Sequence, residues 1–106
     1  MTDAAALGIR HDSLPDDQVV EGTPSAGFVE LDDDAGIGVW EHTPGVSTDV
    51  EADEVFVVLA GSGTLAFEEP ALPPVELRPG SVVRLEAGMR TVWTVRETLR
   101  KVYIAP

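Results

Sequence analysis

Hydrophobic and polar residues alternate in short stretches along this chain, and turn residues separate the stretches at intervals of about 8–12 residues. The clearest stretch is Glu54–Ala60, which carries one charge, is rich in β-branched and aromatic residues, and ends at Gly61. A run that is so short and so clearly bounded indicates a buried strand rather than a helix. Because no segment has helical periodicity, the pattern predicts an all-β sandwich or barrel.

Further strands are predicted on both sides of this stretch. Gly61–Gly63 is predicted to form a tight hairpin into a strand over 64–68. Arg78–Gly80 contains the proline and glycine that suit a type II turn, and prolines exclude 69–74 from a paired strand. The other predicted strands are a short edge strand at Val19–Val20 and strands over 28–31, 37–42, 46–50, 75–77, 81–85, 91–96 and 99–105.

The chain length of 106 residues is enough for one domain with one core. Residues 1–20 show too little periodicity for a clear element and are predicted to form an N-terminal arm, with 21–106 forming the barrel. No apolar run approaches the roughly 18 residues of a membrane span, and early acidic residues argue against a signal peptide. The absence of cysteine excludes disulfides and thiolate chemistry. A cytoplasmic location is therefore the expectation.

The charge balance is strongly acidic, with 19 Asp and Glu against 7 Lys and Arg and a net charge of −12. Such a charge repels phosphate backbones and anionic lipid surfaces. Neither nucleic acid nor a membrane is therefore an expected partner. The simplest interpretation is that the charge keeps a small protein soluble, while adaptation to salt and a cationic ligand remain open alternatives.

The order of these elements and motifs resembles the cupin superfamily, in particular small single-domain cupins similar to ethanolamine-utilisation Q-type proteins and ureidoglycine aminohydrolases. The resemblance covers roughly residues 20–105 and implies a single cupin-type jelly-roll β-barrel. A cupin fold does not by itself fix the chemistry. The matching residues are Glu21–Pro24, Gly38–Trp40, Thr43–Gly45, Asp53-Glu54, Leu59, Gly61, Arg78–Gly80, Ala87-Gly88, Trp93 and Arg100–Tyr103.

In metal-binding cupins, two histidines and a glutamate of a first motif and one histidine of a second motif hold the metal. The resemblance places Glu54 at the glutamate of the first motif. No histidine stands at any of the three histidine places. They fall on Thr48 and Val50, or on Ser47 and Asp49 with the longer permitted gap, and on Thr91.

This departure changes the expected chemistry, because imidazole and thiolate supply most of the affinity of transition-metal sites in proteins. Of the two histidines, His11 and His42, only His42 lies within the predicted barrel. We therefore expect no conventional metal site and no cofactor. A weak metal held by His42 and Glu54, with Asp49 or water, remains an alternative.

Glu54 is the predicted centre of a site in the barrel lumen. Strand alternation places Phe56 on the same face as Glu54, and Thr91 and Trp93 share that direction if Thr91 keeps the family's ligand direction. Trp40 and His42 share one face of their strand, but the pattern does not fix which face. The predicted catalytic residues are Glu54 and His42, and the predicted ligand-binding residues are Trp40, Thr48, Phe56, Thr91 and Trp93.

A carboxylate in an apolar lumen must be protonated, hydrogen-bonded or paired. Without a metal cation to neutralise Glu54, its available hydrogen-bond partners are Thr91, Thr48 and His42, and Arg90 could reach it from the neighbouring turn. On that expectation, Glu54→Gln should fold at least as stably as the natural protein at neutral pH while losing ligand binding.

Three functions are compatible with these residues. The first is metal-independent binding of a small polar metabolite in the lumen. The second is an enzyme of the ureide, amino-acid or sugar type that acts through Glu54 and His42. The third is a structural or regulatory barrel with a filled lumen. A homodimer is expected in each case, because strand 54–60 is apolar on both faces and its outer face needs a partner sheet or the arm as cover.

Overall fold

The structure is a computed structural model that describes all 106 residues, with nine β-strands and one 3-10 helix, Asp16–Gln18. The all-β prediction is confirmed, and no helix is long or apolar enough to cross a membrane. The strands are β1 (Asp12–Ser13), β2 (Val19–Glu21), β3 (Ser25–Asp32), β4 (Ile37–His42), β5 (Gly45–Val50), β6 (Glu54–Glu69), β7 (Val75–Leu77), β8 (Val82–Leu85) and β9 (Arg90–Ile104).

The two longest strands, β6 and β9, form an antiparallel ribbon that joins two halves of the barrel. In the first sheet, β9 also pairs with β4, which continues to β3 and β1, while β6 pairs with β8. In the second sheet, the other half of β9 pairs with β5, which continues to β2, while the other half of β6 pairs with β7. This arrangement is that of a cupin-type jelly roll, as expected from the sequence.

The Gly61–Gly63 segment does not form the predicted hairpin. Strand β6 continues through it, with several shifts of register against β9. Gly61 has a φ of +90°, and a Cβ atom there would lie 2.1 Å from the Thr98 carbonyl oxygen. The glycines therefore allow β6 to bulge and bend against its neighbour instead of reversing direction. The predicted strands 91–96 and 99–105 are likewise one strand rather than two.

The hydrophobic core lies between the two sheets. Phe56 and Val58 face it from the first sheet, as strand alternation predicts, and Leu65 faces it from the second sheet. The buried apolar residues that form this cluster are Phe56, Val58, Leu65, Leu77, Val83, Leu85, Trp93, Val95 and Leu99.

The N-terminal segment packs on the outer face of the first sheet. The guanidinium of Arg100 donates hydrogen bonds to the Ala4 carbonyl at 3.0 Å and to the Glu41 carboxylate at 2.6 Å. His11, before β1, lies 2.7 Å from the other oxygen of Glu41. Burial raises the pKa of Glu41, but the hydrogen bonds from Arg100 and His11 outweigh that effect and hold the pKa below its ordinary value. The segment therefore supplies part of the cover that the outer face requires.

The expected homodimer stays a prediction, and the structure suggests where its interface would lie. Away from the N-terminal segment, the outer face of the first sheet keeps Val82 66% exposed and Ile104 45% exposed, beside the half-buried Val55 and Val57. We expect light scattering at micromolar concentration to give about twice the 11.3 kDa chain mass. Val82→Lys should give the single-chain mass with unchanged circular dichroism. A single-chain mass for the natural protein would contradict the dimer.

Candidate functional site

A cavity of about 260 Å³ lies in the lumen between the two sheets. It is close to the lower end of the roughly 300–1,000 Å³ range of small-molecule sites, so it would suit a small metabolite. Of its lining residues, Phe28 is 61% exposed. The lining residues are Phe28, Trp40, Asp49, Glu51, Glu54, Trp93, Lys101 and Tyr103.

Lys101 is the central charged group of this cavity and the only lysine of the chain. It is 4% exposed, and its Nζ atom donates a hydrogen bond of 2.6 Å to Oε2 of Glu54. The same ammonium lies over three aromatic rings, at 4.6 Å from the centre of Trp40, 4.4 Å from Phe56 and 4.8 Å from Trp93. A buried charge is tolerated only when it is paired, and cation–π contacts add to the stabilisation.

The position of Lys101 follows from strand register. In the first sheet, Lys101 lies opposite Trp40 of β4 on one side and Val58 of β6 on the other. Cross-strand neighbours share a face, so Lys101 points into the lumen with the buried Val58. Strand β9 is paired on both sides along this half, so Lys101 lies in the middle of the sheet rather than at its edge.

The expectation for Glu54 is therefore corrected. Its partner is the Lys101 ammonium, and it forms no hydrogen bond with any of the four partners that the sequence suggested. Arg90 in particular is largely exposed and reaches only the exposed Glu69, at 4.0 Å. Lys101 is not among the partners expected from the sequence, because a lysine beside an arginine near the end of the chain resembles a surface pair in sequence.

A second buried carboxyl, that of Glu51, lies in the same cavity. Its Oε2 atom accepts hydrogen bonds from the Thr91 hydroxyl at 2.5 Å and from the Trp93 indole N–H at 3.1 Å. Burial raises the pKa of Glu51 and the neighbouring Asp49 adds to the rise, while the two hydrogen bonds and Lys101 oppose it. The backbone N–H of Glu51 donates to the Met89 carbonyl at 2.8 Å, which ties the residue to the neighbouring turn.

His42 is buried and has both ring nitrogens occupied. Nδ1 lies 2.6 Å from the Thr43 carbonyl oxygen and Nε2 lies 2.9 Å from the Ser47 hydroxyl. Together, these contacts assign the neutral tautomer that donates from Nδ1 and accepts at Nε2. Burial lowers the pKa of His42, and Lys101 lowers it further, while the bond to Thr43 opposes them. His42 does not line the cavity that contains Glu54.

The predicted site residues are thus only partly brought together. Trp40, Trp93 and Glu54 line the main cavity, while Phe56 lies behind it beneath the ammonium. Thr91 acts on the cavity through its hydrogen bond to Glu51. A smaller cavity of about 110 Å³ includes His42 and Thr48 in its lining and shares Trp40, Asp49 and Trp93 with the main one. The catalytic and ligand-binding roles assigned from the sequence stay predictions.

The donors for a metal ion are few in this lumen. No group of three or more His, Cys, Asp or Glu side chains is placed to hold a metal ion. Of the alternative histidine places, Ser47 faces the lumen because it lies opposite the buried Trp93, and Asp49 shares that face. Thr48 therefore lies on the opposite face of β5, where its hydroxyl is 3.5 Å from the Gln18 carbonyl oxygen. The hydroxyl of Ser47 contacts His42.

Sequence reasoning missed Lys101, Glu51, Tyr103 and Phe28 as cavity residues. A usable signal for two of them was present, because alternation in β9 puts Lys101 and Tyr103 on the face of Trp93 once the strand is treated as continuous. Treating 91–96 and 99–105 as separate strands removed that link. Glu51 lies in the connection after β5, where no periodicity constrains a side chain.

We expect Glu54→Gln to destabilise the protein, because the amide leaves the buried Lys101 ammonium without its hydrogen-bonded carboxylate. The free energy of unfolding should fall by on the order of 3 kcal/mol at neutral pH, as measured by urea denaturation. Glu76→Gln is the matched control, since it removes a carboxylate that pairs with Arg96 at 2.7 Å on the exposed surface and should have little effect. Equal stabilities of the two variants would show that Lys101 does not depend on Glu54.

Glu51→Gln is expected to have the opposite effect at neutral pH. The folded-state pKa of Glu51 lies above its ordinary value of 4.5, so the folded protein binds the proton more tightly than the unfolded chain. The contribution of Glu51 to the free energy of unfolding is therefore fully present below about pH 4.5 and is lost as the pH rises through the folded-state pKa. Between the unfolded-state and folded-state pKa values, the loss is about 1.4 kcal/mol per pH unit.

The glutamine carbonyl still accepts from Thr91 and Trp93 but has no charge to bury. Urea denaturation from pH 4 to pH 8 should consequently show the variant gaining stability over the natural protein as the pH rises. A stability difference that does not change with pH would contradict the assigned shift.

Solved structures with a similar fold come from several bacteria. A protein of unknown function from Acidithiobacillus ferrooxidans is 22% identical, with 99% of each chain covered and a TM-score of 0.67. A cupin-like protein from Thermotoga maritima is 14% identical, with 91% of this chain and 77% of that chain covered and a TM-score of 0.65. A putative ethanolamine utilization protein Q from Salmonella typhimurium is 12% identical over 94% and 96% of the chains, with a TM-score of 0.60.

At these identities, the similarity establishes the fold and nothing finer. No curated protein is detectably similar in sequence. The family model of the EutQ-like cupin domain matches residues 29–103, which is well over half of the chain and includes β4 to β8 and nearly all of β9. The resemblance to small cupins of the ethanolamine-utilisation Q type is confirmed, and the chain belongs to the EutQ-like cupin domain family.

Proposed function

We propose that this protein binds a small polar metabolite in the lumen cavity and does so without a metal ion. The observation that supports this function is the Lys101–Glu54 ion pair, which lies at 2.6 Å in a cavity walled by Trp40 and Trp93. A few placed polar groups within aromatic walls are the usual composition of a small-molecule site. The chain's own ammonium supplies the positive charge there.

The charges of the lining favour a neutral or zwitterionic ligand. Asp49, Glu51 and Glu54 provide three carboxyl groups against the single ammonium, and the whole chain has a net charge of −12. Both properties oppose an anionic ligand. One Lys101 N–H is used by Glu54, which leaves N–H groups for a hydroxyl or carbonyl oxygen of the ligand, while the indole faces accept its apolar atoms.

The two alternative functions receive less support. An enzyme that pairs Glu54 with His42 requires the two groups to meet at one substrate, but both nitrogens of His42 are occupied and only Glu54 lines the main cavity. A filled lumen is favoured where Leu65, Leu85 and Leu99 are buried in the apolar cluster. It is not favoured beside Lys101, where the cavity opens.

The two tryptophans of the chain both line this cavity, so their fluorescence would report its occupancy. Three probes of similar size and different charge are acetamide, glycine and acetate. We expect acetamide or glycine, in metal-free buffer, to change the emission saturably with millimolar affinity, since ligands of few atoms bind weakly. Acetate should have a much smaller effect.

Glu76→Gln, far from the cavity on the exposed surface, serves as the control and should leave the titration unchanged. Trp40→Phe should keep an aromatic ring beside Lys101 while it alters the response. If none of the three probes gives a saturable change, or if acetate binds best, the proposed site and its charge preference are wrong.

A further inference from the structure

The single lysine of this chain is not on its surface. All six other basic residues are arginines, and the one primary amine of a side chain lies in the lumen cavity at 4% exposure. Lysine differs from arginine in that its amine becomes a nucleophile when it loses a proton, and buried lysines are used for Schiff-base chemistry for this reason.

We propose that Lys101 forms a Schiff base with small neutral or hydroxylated aldehydes or ketones that enter the cavity. The inference rests on the proposed function in that it uses the same cavity, and it adds the chemical class of the ligand and the atom that binds it.

Glu54 is placed to take the proton that the amine must lose. Its Oε2 atom is 2.6 Å from Nζ, within the range for direct proton transfer. The neutral amine then attacks the carbonyl carbon, and the C–N bond forms as the carbonyl oxygen becomes the hydroxyl of a carbinolamine. Loss of that hydroxyl as water leaves an iminium ion, so one ammonium and one carbonyl give one iminium and one water, with no oxidant or reductant.

The surroundings of Nζ also suit the product. The iminium carries the same single positive charge as the ammonium, so it retains both the Glu54 carboxylate and the three aromatic rings at 4.4–4.8 Å. Glu51 lines the same cavity and is buried, and burial raises the pKa of this carboxyl. In its protonated form, Glu51 supplies the proton that the departing hydroxyl requires, and the proton taken up by Glu54 then replaces it through solvent, so that Glu54 is a carboxylate again beside the iminium.

The same charges limit which carbonyl compounds would enter. Oxoacids bring a carboxylate toward Asp49 and Glu54, and this repulsion opposes their binding. Small aldehydes and ketones with hydroxyl groups carry no such charge. Glycolaldehyde and glyoxylate are therefore a matched pair of probes, since both are two-carbon aldehydes and only glyoxylate is an anion.

The experiment is reductive trapping with sodium cyanoborohydride, followed by intact-mass measurement and peptide mapping of the natural protein. The α-amino group of the expressed chain is an internal reference, because it is the only primary amine besides Lys101 that can form a Schiff base. We expect glycolaldehyde to modify Lys101 at least about tenfold faster than the α-amino group, because the cavity holds carbonyl and amine together. Glyoxylate should show no such preference.

Two variants separate the chemistry from simple burial. Lys101→Arg keeps a cation beside Glu54 but has no amine nucleophile, so it should remain folded by circular dichroism and lose only the lumen modification. Glu51→Gln should slow modification of Lys101 while leaving that of the α-amino group unchanged.

The Schiff-base inference is overturned if Lys101 is modified no faster than the α-amino group. If the tryptophan emission of the same protein still responds to acetamide or glycine, the binding function stands. The proposed function fails separately if no probe alters the tryptophan emission. Equal trapping of glycolaldehyde and glyoxylate at Lys101 would contradict the assigned ligand class.

Discussion

The ion pair between Lys101 and Glu54 constrains the whole first sheet. An ammonium buried to 4% exposure needs its carboxylate, and the pair forms only when β6 and β9 are in their observed register. A slip of one residue would turn Lys101 to the outer face and bring Arg100 into the lumen. Arg100 is itself held outside by Glu41 at 2.6 Å. Two adjacent basic residues are therefore paired on opposite faces of one strand, and together they fix both its register and its orientation.

The bend in the β6–β9 ribbon is what places a second wall around that charge. Beyond the bulge at Gly61, the other half of each strand belongs to the second sheet, so Trp93 lies on the same continuous strand as Lys101 and faces the same lumen. Trp93 in turn donates its indole N–H to Glu51, which Thr91 also holds. The carboxyl groups and aromatic rings of the cavity are consequently positioned by this ribbon, by β3, β4 and β5 beside it, and by the short connection after β5.

The parts of this arrangement that alternation governs were predictable from sequence. The inward orientation of Phe56 and Val58 followed from the two-residue period of a strand. The type II turn followed from Pro79 and Gly80. In the structure, Gly80 has a φ of +95°, and the N–H of Ser81 donates to the Arg78 carbonyl at 2.9 Å. The parts that depend on long-range contact were not. Glycine in a strand can mark a turn or a bulge, and only the close approach of the Thr98 carbonyl to Gly61 decides between them. A lysine in sequence carries no sign of the carboxylate that will bury it.

The same ion pair also gives a physical account of how this cupin departs from the metal-binding pattern. The carboxylate at the family's glutamate place, Glu54, faces a positive charge that is covalently part of the chain. Two side chains at histidine places are committed to internal hydrogen bonds, Ser47 with His42 and Thr91 with Glu51. A fixed ammonium polarises a ligand by donating hydrogen bonds rather than by coordination, and unlike a metal ion it can exchange a proton with its neighbouring carboxylate. On the proposed function, an ammonium in the lumen in place of a metal ion would move the chemistry there from ligand coordination toward proton transfer and nucleophilic attack.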